Sequence, residues 1–252
     1  MKTISRLSHC WLLWYGLAGR KILSTYPFVT LRMAIVISRD SSKSKSMVCP
    51  VYPRPSRRYN DSVSEPGPLL ASRDASVLVV IDIQEKLLPA IHGGEAILPR
   101  VGLLLEGAKA MGVPVILTEQ YPQGLGPTVE GVRRDLPPGT DPVTKTAFSC
   151  VPEPAFMAKL KATGRRQAVI AGIEAHVCVA QTALELVSAG FQVFLAADAV
   201  GSRRPADRDT ALDRMRRAGV VVTTSEALVF EWLRRAGTPE FKAVQRRIKE
   251  IP

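Results

Sequence analysis

Gln167-Ala168-Val169-Ile170-Ala171-Gly172-Ile173-Glu174-Ala175-His176-Val177-Cys178-Val179 is the stretch whose reading decides the fold. Its opening residues, 167–172, are apolar and rich in β-branched side chains, the pattern of a strand buried on both faces of a parallel sheet. From Val179 apolar residues recur at helical spacing through Val187, and Gly190 ends the run. Cys178 therefore stands where a strand hands over to a helix. A thiol there meets unpaired backbone N–H groups and the positive end of the helix dipole, both of which favour the thiolate. A cysteine nucleophile is the expectation.

On either side of this stretch, from Ala75 to about Ile251, apolar runs alternate with amphipathic ones. Strands are expected at 77–82, 113–118, 141–145, 167–172, 192–197 and 220–224. Helical patterns fall at about 94–111, 152–163, 178–189, 206–218 and 225–236, with a last one near 238–250. Strand then helix, repeated, implies a parallel sheet with helices on both faces and right-handed crossovers. The expected fold class is α/β: a single three-layer αβα domain around a six-stranded, mainly parallel, Rossmann-like sheet in the order 3-2-1-4-5-6. The long connection over 119–140 is too polar and too rich in Gly and Pro for core, and such loops at carboxyl ends of strands line sites.

Two further groups emerge at that same sheet edge. The first strand runs Val77-Leu78-Val79-Val80-Ile81 into Asp82, and the third ends in Lys145-Thr146-Ala147-Phe148-Ser149. An acid, a base and a thiol together suit attack on a carbonyl. A carboxylate whose pKa is raised by burial takes the thiol proton and returns it to a leaving amine, while an ammonium favours the thiolate. In this strand order the third strand lies two places from the first, about 10 Å away, so Lys145 must reach across the second.

The segments Val79-Val80-Ile81-Asp82-Ile83-Gln84, Lys145-Thr146-Ala147-Phe148-Ser149 and Gly172-Ile173-Glu174-Ala175-His176-Val177-Cys178-Val179 are similar, in order and spacing, to those of the isochorismatase-like cysteine hydrolases, which include nicotinamidases and N-carbamoylsarcosine amidohydrolases. The resemblance covers about 75–240, and residues 118–126 look most like the isochorismatase-domain-containing branch. It implies a hydrolase acting on a small amide or related carbonyl compound, a non-peptide C–N bond, through a covalent thioester. Asp82, Lys145 and Cys178 are then the catalytic triad. It also implies a cis peptide at Ile173–Glu174, the N–H groups of Glu174 and Cys178 as oxyanion donors, and a homo-oligomer. Nicotinamidases of this family bind a metal through Asp and His after the second strand, where this chain has Glu119-Gln120-Tyr121-Pro122. With His9, His92 and His176 widely separated, no metal and no other cofactor is expected.

Glu174-Ala175-His176 departs from the Thr-Asp type of many relatives, which leaves a second reading open: a non-catalytic oligomeric interaction module with an apolar helix around 227–233 facing a partner. His176 either tunes the thiol or is a hydrogen-bonded wall residue. Gln84, two residues after Asp82, is placed on the same side of an extended chain, where it either orients that carboxylate or faces solvent, and with His176 it counts among the substrate-pocket candidates. Tyr121, Leu125 and Phe148 are candidates for an apolar substrate pocket, ordinary packing being the competing reading; Cys150 reads as a small buried residue.

The formal charge of +11 invites a polyanion partner, but residues 1–70 hold 11 Lys and Arg against 3 acids, leaving only +3 on the remainder. A small-molecule substrate is expected, with neither nucleic acid nor membrane as partner. Residues 1–73 are expected to be a disordered basic extension, with 74–252 as the hydrolase domain. The extension reads as an organelle transit peptide, a weak signal sequence, or an addition upstream of a start at Met47. No apolar run reaches the roughly 18–20 residues needed to span a bilayer. Four cysteines without CxxC spacing suit a reducing compartment, so the expected location is the cytoplasm, with organellar import as the variant.

Overall fold

The computed structural model describes residues 70–251, and the expectations for the N-terminal extension lie outside the described residues. Six strands form one sheet in the order β3-β2-β1-β4-β5-β6: β1 Ser76–Ile81, β2 Val115–Gln120, β3 Val143–Lys145, β4 Gln167–Ile173, β5 Gln192–Gly201 and β6 Val221–Thr223. Every pairing is parallel, so the sheet is wholly rather than mainly parallel. Asp82 and Gly172 lie at the seam between β1 and β4, where the chain order reverses.

The two faces of the sheet carry separate cores. Leu78 and Val80 of β1 pack with α1 (Ile97–Met111), α7 (Ser225–Leu233) and Val244 of α8 (Pro239–Glu250). Val77, Val79 and Ile81 pack with α4 (Pro154–Ala162), α5 (Ala180–Ser188) and α6 (Pro205–Arg217). Strand alternation over an apolar run makes both faces hydrophobic, and each needs a helical layer to exclude water. Leu228, Val229, Trp232 and Leu233 of α7 are buried in the α1-side core, while Phe230 of the same helix is 43% exposed. Most of the ridge expected to face a partner is therefore packed against its own sheet, and Phe230 is the large apolar side chain of the helix that stays exposed.

Local differences from the sequence reading have identifiable causes. The helix expected from 94 begins at Ile97, behind short 3₁₀ turns at Leu88–Ala90 and Gly94–Ala96, because Gly93 adopts a left-handed conformation at φ 62°. Within 119–140 the chain forms single-turn helices α2 (Pro122–Leu125) and α3 (Glu130–Arg133), the first opened by Pro122 and stopped at Gly126. β5 runs on to Gly201 because of a bulge: Ile170 pairs with Leu195 but Gly172 with Val200. Arg208 of α6 donates to the bulge carbonyls of Ala197 and Val200, satisfying oxygens the shifted register leaves without a ladder partner.

Candidate active site

The carboxyl ends of β1, β2 and β3 and the turn after β4 converge on one buried cluster. Strict alternation would send Asp82 to the α1 face with Leu78 and Val80. Instead Asp82 has φ 53°, a left-handed conformation that is costly for a residue with a Cβ. The departure turns its carboxylate toward the opposite face, where Cys178 sits among Val79, Ile81 and Cys150. Thr118 Oγ1 donates to Asp82 Oδ1 at 2.7 Å, and Lys145 Nζ stands 2.6 Å from Oδ2.

Lys145 thus does cross β2. Its ammonium also donates to Gln120 Oε1 at 2.5 Å and to the carbonyls of Phe148 at 3.1 Å and Ala147 at 3.3 Å. Burial works against the charge, but the Asp82 carboxylate and the nearby thiol outweigh it, and the Lys145 pKa is raised. This lysine is held as a cation.

Gly172 allows the fourth strand to close on the first beneath the cluster. Its φ is 129°, and a Cβ at this position would lie 2.1 Å from the Ile81 carbonyl oxygen. Beyond it the Ile173–Glu174 peptide is cis, and residues 175–179 form a π-helical turn, Val179 N donating five residues back to Glu174 O, before α5 begins at Ala180. Cys178 lies in this wide turn, 5% exposed and within electrostatic reach of Asp82. Burial first, and then the Asp82 carboxylate, push its thiol up to about 12, with Lys145 pulling the other way. Desolvation and a like-signed neighbour outweigh the helix-start dipole that favours the thiolate. Cys150, fully buried and 4.0 Å from Thr118 Oγ1, is pushed up to about 11 by burial and then by Asp82.

The remaining candidates divide. Gln84 does not orient Asp82; both ends of its amide bond backbone of the β2 end and the following loop, accepting from Gln120 N at 2.8 Å and donating to Gln120 O and Gly126 O. Wholly buried, it fastens the loop rather than facing an open pocket. Tyr121 and Phe148 are 54% and 55% exposed and flank Lys145, Tyr121 N donating to Lys145 O and Phe148 O receiving Nζ. The Tyr121 ring lies over Gly124, where a Cβ would come within 2.5 Å of it. His176 Nδ1 is 3.0 Å from Ser202 Oγ, the hydrogen-bonded wall arrangement.

Glu174, only 4% exposed, is gripped by Arg203: Nη2 donates to Oε1 at 2.8 Å, Nε to Oε1 at 3.0 Å, and the backbone N to Oε2 at 3.1 Å. Burial would raise its pKa, but the Arg203 contacts prevail and lower it. Thr118, Gln120 and Arg203 were not singled out from sequence. Thr118 carried a signal, sharing a face with Ile116 by alternation; Arg203 carried none, being 29 residues from its partner. Among the described residues no group of three or more His, Cys, Asp or Glu side chains is arranged to hold a metal ion, and no helix is long and apolar enough to cross a membrane.

Residues 76–227 match the isochorismatase domain family. The mouse isochorismatase domain-containing protein 2A is 42% identical over 178 residues, which is 70% of this chain and 84% of that protein. Among solved structures, the protein described as MAR1 ribonuclease from Caenorhabditis elegans superposes with a TM-score of 0.69 at 37% identity, covering 73% of this chain and 94% of that one. The YcaC gene product from Escherichia coli, described as an octameric hydrolase of unknown specificity, gives 0.63 at 25% identity over 73% and 98%.

Proposed function

The chain belongs to the isochorismatase family of hydrolases, and from that premise we propose that it is a cysteine-dependent hydrolase of small amides or related carbonyl compounds, with Asp82, Lys145 and Cys178 as its triad. One observation carries the reading: a single buried carboxylate is paired with a fixed ammonium 2.6 Å away and acts electrostatically on the buried thiol. A thiol pushed up to about 12 does not ionise unaided at neutral pH, so its proton must be taken as it attacks. Asp82 is in place to take it. The sulfur bonds to the carbonyl carbon, and the oxyanion so formed is received by the N–H groups of Glu174 and Cys178. Asp82 then passes the proton to the leaving nitrogen, the C–N bond breaks and a thioester remains. Water adds to the thioester, giving its proton to Asp82, which returns it to the sulfur as the acid departs. Lys145 keeps its proton throughout; four oxygen acceptors surround it.

Tyr121 and Phe148, exposed beside Lys145, suit a flat or apolar substituent on the substrate. Residues 74–252 are the hydrolase unit in this reading, the octameric relative supports a homo-oligomer, and a reducing compartment such as the cytoplasm keeps Cys178 a thiol. The test is hydrolysis of a panel of small primary and secondary amides. We expect turnover by the wild type, none by Cys178→Ala, and a loss of about 10²–10⁴-fold in Asp82→Asn, the usual contribution of a general base. Turnover that survives Cys178→Ala would refute the covalent route.

A further inference from the structure

Three strands build the buried cluster, and the middle one contributes Gln120. Lys145 ends β3 and Asp82 follows β1, with β2 between them, so the ammonium spans an intervening strand to reach the carboxylate. Gln120 is the residue of β2 that pairs with Lys145 in the sheet. Its side chain meets Nζ at 2.5 Å through Oε1, while Nε2 donates to Thr146 O at 2.8 Å, so both ends of the amide are used. Its backbone is in turn gripped on both sides by Gln84, N donating to Oε1 at 2.8 Å and O receiving Nε2 at 3.0 Å. A buried ammonium needs acceptors, and an amide supplies one without a second negative charge. A carboxylate at the same place would compete with Asp82 for the cation and repel the forming thiolate.

We infer that Gln120 is a positioning residue for this site, holding the Lys145 ammonium across β2 so that its charge acts on Asp82 and Cys178; the inference rests on the hydrolase reading above. Gln120 then joins Asp82, Lys145 and Cys178 as a member that is neutral by its chemistry. Gln84 serves it at one remove, by fixing the backbone from which the amide projects.

The experiment alkylates the full chain with iodoacetamide from pH 7 to pH 10 and quantifies the adduct on each cysteine by peptide mass spectrometry. In the wild type we expect Cys178 to react faster than Cys150. Gln120→Met keeps the bulk but removes the acceptor, and its Cys178 profile is expected to move to higher pH. Each unit of displacement cuts the thiolate fraction about tenfold, and higher intrinsic nucleophilicity returns about threefold, so labelling at pH 8 slows about threefold per unit. Gln120→Glu keeps shape and acceptor but adds a negative charge, and its profile is expected to move in the same direction. Should Gln120→Met fail to fold, Gln120→Asn decides in its place, because it stays a neutral amide but is one methylene shorter and withdraws the acceptor from the ammonium. A purely structural glutamine would lower the melting temperature and leave the profile in place, so variant profiles that superimpose on the wild type overturn the positioning role alone. A wild type in which Cys178 reacts no faster than Cys150 overturns the hydrolase reading, and the inference with it.

Discussion

Glu174 and Arg203 show how one contact can hold an unusual residue in the turn that carries Cys178. The carboxylate is buried, and the guanidinium and backbone N–H of Arg203, helped by His176, hold its pKa down. A carboxyl whose folded pKa is lowered contributes stability above its unfolded pKa and loses it as pH falls through the folded one. Arg203→Met removes the guanidinium, so the folded pKa rises and the loss begins at higher pH. We expect the acid-unfolding midpoint to move up, with a cost at pH 7 of about 1–2 kcal/mol, discounted because the arginine is largely exposed; circular dichroism across pH 3–7 checks this. Gly172 is the stricter case. Gly172→Ala would place a methyl carbon 2.1 Å from the Ile81 carbonyl oxygen at a φ of 129°, so neither backbone nor neighbour can accept it. We expect a loss above about 4 kcal/mol, read by urea unfolding or by failure to purify folded protein.

Among the elements, β5 and α7 depend on single polar contacts that strand and helix patterns do not reveal. Arg208→Leu would leave the Ala197 and Val200 carbonyls of the bulge without their donor. A cost of about 1–3 kcal/mol is expected in chemical denaturation, the penalty for unsatisfied buried acceptors. In α7, Thr224 caps the helix by accepting from Ala227 N, and Thr224→Ala is expected to cost about 1 kcal/mol. In the last turn of the helix, Trp232 Nε1 donates to Ser76 Oγ at the start of β1. The indole thus ties the last layer to the first strand. Boundary differences have the same kind of origin: a 3₁₀ entry at Gly94–Ala96 and a π turn at Ala175–Val179 follow from how neighbouring elements meet, and residue spacing along the chain does not encode that.

For the whole molecule, the buried thiols make stability depend on alkaline pH. Cys178 and Cys150 are pushed up to about 12 and about 11, above their ordinary value, so both are protonated in the native state until well past the pH at which the unfolded chain ionises. Groups raised in this way contribute stability that is full below the unfolded pKa and is lost as pH rises through the folded one. Urea unfolding is therefore expected to show falling stability from about pH 9 upward, and Cys150→Ala with Cys178→Ala together should flatten that limb. An unchanged slope would show that the thiols are not buried as described.

Sequence periodicity determined the layered architecture because alternation of apolar runs and amphipathic stretches is itself the requirement for a parallel sheet covered on both faces. It also brought Asp82, Lys145 and Cys178 to one edge, since residues ending parallel strands share that edge by construction. Tertiary structure alone decided the rest. The left-handed backbone at Asp82 reverses which face the carboxylate meets. The reach of Lys145 needs the amide of Gln120 on the strand between. Cys178 rests as a thiol because burial and Asp82 outweigh the helix dipole. These are contacts between residues far apart in the chain, and their balance of charge and desolvation exists only once the strands are assembled.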